Sequence, residues 1–151
     1  MIGLALMAAT TAAPSGNYNC LLNDVAAVSV QGGKADASMI EGLPADSLSF
    51  RLNFDGDSAS VDWPNSPIQA SGKQKILPTG PAAGMILTVA EGPCLFTEAA
   101  CANMFNYAAQ PDGSLKMLVT TTAVSYDSDR KTRFPFLVSM RGVCTPAKDA
   151  K

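Results

Sequence analysis

An all-β chain of about eight antiparallel strands is what this sequence predicts. Three observations carry that expectation. Apolar and polar residues alternate with period two in several segments, as in Ser47–Phe54. Turn signals made of Gly, Pro, Asp and Asn recur about every 8–14 residues. No segment holds apolar residues at helical spacing over the length of an ordinary helix. A meander closed as a barrel and a β-sandwich both use this alternation, so both remain open.

The elements follow in order. Residues 1–13, MIGLALMAATTAA, read as an export signal: Ile2–Ala9 is an apolar run and Thr10–Ala13 supplies small residues for a peptidase. Cleavage is expected near Ala12, because cutting after Ala13 places Pro14 first in the mature chain. The signal lacks the usual basic start, since only the α-amino group is charged before Asp24. The run is also shorter than the roughly 20 apolar residues of a transmembrane helix. One β domain is expected over residues 14–151. Pro14–Asn19 is polar and turn-forming, and Val25–Val30 is a short strand broken by Gln31-Gly32-Gly33-Lys34. Ala37–Leu43 is expected to form one helical turn, with Ser38 as N-cap and Pro44 as terminator.

In Ser47–Phe54, Leu48, Phe50, Leu52 and Phe54 alternate with polar residues, the pattern of a half-buried strand. Asp55-Gly56-Asp57 is turn chemistry, and alternation resumes at Ala59, Val61 and Trp63, so the two segments form a hairpin. Pro64 and Pro67 close it. Gln69–Leu77 is a weaker strand ending at Pro78-Thr79-Gly80-Pro81. Gly84–Ala90 is apolar throughout and is expected to be buried on both faces. Cys94–Gln110 reads as a disulfide-closed bend followed by a strand. Pro111-Asp112-Gly113-Ser114 is the strongest turn signal. Leu115–Tyr126 is the longest β run, and Arg133–Val143 the last strand, with Pro135 marking an edge or bulge.

Short sequential connections favour the barrel, whose architecture resembles that of lipocalins. The lipocalin Gly-x-Trp signature is missing, because Val61 stands two residues before Trp63.

Composition narrows the chemistry. The chain has 151 residues, a net charge of −2 and only 16% charged residues, with no basic face for nucleic acid. It contains no histidine. Ser-His-Asp and Cys-His catalysis, and every histidine-containing metal site, are therefore excluded. What survives is carboxylate, lysine or tyrosine chemistry. The four cysteines of an exported chain are expected as disulfides, Cys20 with Cys144 and Cys94 with Cys101. No spacing fits a zinc site. Asp55-Gly56-Asp57-Ser58 and Asp127-Ser128-Asp129 lack the ligand series of a calcium loop and read as acidic turns. Glu41, Glu91 and Glu98 cannot be brought into a glycosidase pair from sequence.

Trp63, Tyr107, Tyr126 and Phe134 are candidate pocket-lining residues, with core filling as the other use of the same side chains. Met85, Met104, Met117 and Met140 read as strand residues that fill irregular space. Trp63-Pro64-Asn65-Ser66-Pro67 is a stiff loop, either presenting Trp63 or merely guarding an edge. Two functions are therefore expected. One is a non-enzymatic exported barrel that binds a small apolar ligand inside. The other is a protein-interaction or envelope-structural module with a filled core and an exposed apolar patch. A carboxylate-only hydrolase is the third reading. No cofactor is expected.

Overall fold

The computed structural model describes residues 13–31, 34–44, 48–64, 72–80, 82–90, 101–127 and 131–148. The expected export signal, its cleavage site, Cys94 and the loop after Pro64 lie outside them.

The described residues form ten strands: β1 (Gly16–Gln31), β2 (Lys34–Met39), β3 (Ser49–Asp55), β4 (Ser58–Asp62), β5 (Gln74–Lys75), β6 (Leu77–Gly80), β7 (Ala83–Ala90), β8 (Cys101–Ala109), β9 (Leu115–Asp127) and β10 (Thr132–Pro146). All pair antiparallel in one sheet, in the order β5-β4-β3-β1-β10-β9-β8-β7-β6, with β2 added beside β1. The two ends of that order, β5 and β6, are consecutive in the chain and separated only by Ile76. The sheet is therefore curled into a nearly closed barrel, not a sandwich. The meander is interrupted at one place: the first strand sits between β3 and the last strand, β10.

β1 is far longer than the expected Val25–Val30. Its first half pairs with β3 over Gly16–Leu21 and its second half with β2 over Ala26–Gln31, while β10 runs along the other side. A bulge between Leu22 and Asp24 hides this strand from a period-two search. Tyr18, Cys20 and Leu22 point inward before it, and Val25 after it. The extra residue shifts parity while the same face stays buried. Gly142 lies opposite Leu22, and a Cβ placed there would stand 2.2 Å from the Leu21 carbonyl oxygen. Only glycine lets β10 approach the bulge so closely.

The expected helical turn at Ala37–Leu43 is corrected to strand through Met39. Gln31 pairs with Lys34 across two glycines, the spacing of a two-residue hairpin, and β1 offers β2 a ladder that outweighs local helix propensity. Pro78, Thr79 and Gly80, expected as a turn after a strand ending at Leu77, instead continue strand β6 (Leu77–Gly80). Pro78 is tolerated because β6 ends the sheet and pairs only with β7. Pro135 follows the same rule. It pairs with Val124 of β9, but the β1 ladder has already stopped at Phe136. The hairpin at Gly56 forms as expected, with Asp55 facing Ser58 and Gly56 at φ 62°, a conformation costly for other residues.

The core is one cluster inside the barrel. Phe50 packs on Trp63 and Phe105 with centroids 5.1 and 5.6 Å apart. Tyr18 and Tyr107 both meet Phe54 edge-on, at 5.6 and 5.0 Å. Leu52, Ile86, Leu115, Val119, Met140 and Val138 complete it.

Candidate interaction face

Where the wall rises beyond β3 and β4, six strands remain side by side: β2, β1, β10, β9, β8 and β7. Directly paired residues share a face, so the pairing register assigns the outer surface level by level. At the first level stand Met39, Ala26, Ser139, Thr120, Met104 and Leu87. The next carries Ala37, Val28, Leu137, Thr122, Ala102 and Val89. The third carries Ala35 and Val30 on one pair of strands, and Pro135 and Val124 on another.

None of these residues is charged and none is aromatic. Val89 is 77% exposed, Met39 60% and Leu87 46%. The expectation that Gly84–Ala90 is buried on both faces is thereby corrected. Ile86 and Thr88 face the core, while Leu87 and Val89 face outward. Strand spacings of about 4.8 Å and side-chain levels about 6.8 Å apart give the patch a footprint of about 500 Å². Within that footprint Ser139, Thr120 and Thr122 contribute hydroxyls and Ala26, Val28, Leu137 and Met104 are half-buried, so the exposed apolar area is smaller than the footprint.

Among the described residues, charge on this face appears at the two ends of the patch, and at one of them Tyr126 pairs with Arg133. Arg133 continues β10 past Pro135 and is exposed. At the other end Arg141 Nη2 lies 2.5 Å from the Asp24 carboxylate. The uncharged centre is thus bounded by charge at both ends along the strands.

Behind the patch, the inner side of the same strands holds a small polar cluster. The Thr121 hydroxyl donates to Asn103 Oδ1 at 2.7 Å, and Asn103 Nδ2 donates to Thr88 Oγ1 at 3.3 Å. Asn103 is fully buried, and every buried side-chain polar atom among the described residues has a partner. The cluster stiffens the wall that carries the patch, since a satisfied buried network fixes one arrangement.

The residues singled out from sequence are placed as follows. Cys20 and Cys144 face each other across β1 and β10 and are bonded. Cys101 is also disulfide-bonded. Trp63 is 2% exposed and Tyr107 lies within the same core cluster, where burial raises its hydroxyl pKa above the ordinary tyrosine value. Phe134 is half-buried near the β9–β10 turn, and the Tyr126 side chain lies outside what is described. Met117 and Met140 are core, whereas Met85 and Met104 are half-buried. No three His, Cys, Asp or Glu among the described residues gather as metal ligands. An open groove of about 660 Å³ runs outside β1 and β3 past Leu21, Phe50, Arg51 and Val143, and a second of about 590 Å³ lies outside β8–β10 near Asn106, Lys116 and Arg141.

The interaction reading expects an exposed apolar patch, but the sequence does not place it, although Val28, Val30, Leu87 and Val89 are visible there as β residues. Only the register brings them to one side. No helix of the described residues is long and apolar enough to cross a membrane. Neither a protein-family model nor a curated protein matches this chain.

Proposed function

We propose that this chain is an exported, non-enzymatic interaction or envelope-structural module that works through the uncharged outer face of β2, β1, β10, β9, β8 and β7. The observation that carries the reading is the uncharged, largely aliphatic patch on the outside of a barrel whose interior holds an aromatic core. Water disfavours the uncovered aliphatic side chains of Val89, Met39, Leu87, Val30 and Val124, and a protein partner that covers them gains the hydrophobic term. Export is supported by the apolar leader of the sequence and by the Cys20–Cys144 bond, which persists in oxidising compartments. An apolar ligand inside the barrel is the weaker reading, because Phe50, Trp63, Phe105, Phe54 and Tyr107 already occupy that space.

The test is a photo-crosslinking residue installed at Val89, on the patch, and separately at Lys75, on β5. Each variant is irradiated in the exported fraction. An adduct from position 89 and none from 75 is the expected result. No adduct at 89, or equal labelling at both, overturns the reading.

A further inference from the structure

We infer that the outer wall below the patch binds an anionic amphiphile, a single aliphatic chain ending in a carboxylate. The site is the pair of grooves on the outer wall, where β3, β1, β10 and β9 lie side by side, and it is separate from the interaction face. The two grooves share Asn23 and Val143 and therefore adjoin. Their volumes, about 660 and 590 Å³, fall within the roughly 300–1,000 Å³ of small-molecule sites. The bulge between Leu22 and Asp24 lies where they meet, and a bulge bends its strand. Charge identifies the ligand. The chain as a whole is acidic, at −2, yet the described residues that line the grooves include Arg51, Lys116 and Arg141 and no Asp or Glu.

The register gives the arrangement. Val143 pairs with Lys116, and at the neighbouring level Arg141 pairs with Leu118. These outward side chains form a square with cations on one diagonal and aliphatics on the other. Cα atoms on such a diagonal stand about 7–8 Å apart, so one carboxylate between the two long cations reaches both. Arg141 already meets Asp24 through Nε and Nη2, but a guanidinium has five N–H donors, and those on Nη1 serve a second carboxylate. Lys116 is flanked in register by Val143 and Ala108, both neutral, whereas Arg51 stands opposite Asp62 and contributes less. From the square an aliphatic strip leads across the strands, since Val143 pairs with Leu21 and Leu21 with Ser49. Leu21 is 50% exposed, Val143 47% and Leu118 45%, so a chain laid over them removes apolar surface from water. An acidic peptide is the less fitting occupant. At this level β1, β10 and β9 are each paired on both sides, which leaves no edge for a peptide backbone to bond.

Decanoate is the probe, titrated into the full isotope-labelled chain and followed by amide NMR shifts and calorimetry. Saturable one-to-one binding is expected, with the largest shifts at Leu21, Lys116 and Val143 and none at Val89. Decyltrimethylammonium has the same tail and the opposite charge, and should bind at least about tenfold more weakly. Acetate has the head without the tail and should not saturate. Lys116→Glu should weaken decanoate about tenfold, and Lys116→Arg should bind it as the parent does. Leu21→Ser, which shortens the aliphatic strip, should weaken it about threefold. Lys116 and Leu21 are exposed, so none of these variants should move the melting temperature. Decanoate that does not saturate, equal affinity for the cationic amphiphile, or shifts centred on Val89 overturns the inference. So does a Lys116→Glu variant that binds decanoate as the parent does. Flotation of the chain with phosphatidylglycerol vesicles, lost in Lys116→Glu, overturns it in favour of a lipid surface.

Discussion

Removing the Cys20–Cys144 bond is expected to destabilise this fold more than removing the bond of Cys101. The two sulfurs join residues 124 apart in sequence, on strands already paired at that register. The bond therefore acts mainly on the unfolded chain, which it closes into a loop of nearly the whole domain. In the chain-entropy treatment a loop of that length contributes about 5 kcal/mol. Spread over the unfolding entropy of about 140 residues, that is roughly 17 °C in melting temperature. If Cys101 is bonded to Cys94, the loop holds about eight residues and contributes about 2.5 kcal/mol, or roughly 9 °C. The informative comparison is Cys20→Ser/Cys144→Ser against Cys94→Ser/Cys101→Ser, by differential scanning calorimetry with rescans for reversibility. Each pair exchanges two sulfurs for two hydroxyls, so the cost of the new polar atoms largely cancels. The remaining difference, about 2.4 kcal/mol or 8 °C, reports loop length alone. Equal depressions, or a larger one from the Cys94/Cys101 pair, would refute the reasoning.

Two further outcomes are expected. Gly142→Ala forces a Cβ against the Leu21 backbone, which cannot yield without opening the β1 bulge. A loss of about 3 kcal/mol is expected in urea denaturation, and a loss under about 0.5 kcal/mol would show that the bulge is not held there. The pH dependence follows from two exposed carboxylates. Asp55 ionises below the ordinary range because Lys73 donates a hydrogen bond to it and stands beside it as a cation, and Asp112 does so because the Ser114 hydroxyl and amide donate to it. A depressed folded pKa stabilises above the unfolded value, about 3.9, and the gain is lost as pH falls through the folded value. With no histidine in the chain, the melting temperature should stay level from about pH 5 to 8 and decline only below about pH 4. Asp112→Asn should make that acid decline shallower, and a step near neutral pH would contradict the assignment.

How far the fold was legible depended on how local its causes are. Phe50, Leu52 and Phe54 alternate strictly, and Gly56 sits between two aspartates, so the β3–β4 hairpin could be read without neighbours. Leu115–Tyr126 and its Pro-Asp-Gly-Ser turn were equally plain, since Asp112 and Ser114 bond one another. β1 was not legible, because the bulge after Leu22 breaks the period while the pairing with β10 and β3 holds the strand together. β2 was misread for a related reason. Six exposed residues of weak β propensity become strand only because β1 supplies a ladder.

The sequence by itself determined the fold class, the inward aromatic and aliphatic set, the turns, and the exclusion of histidine chemistry. These follow from composition and from periods of two, which are properties of a segment alone. Tertiary structure decided the closure of the barrel through β5, Ile76 and β6, and the insertion of β1 between β3 and β10. It also decided the candidate site. Val89, Thr122, Leu137, Val28 and Ala37 come from five strands, and no local pattern links them. Their common face is a consequence of register, which long-range hydrogen bonding sets.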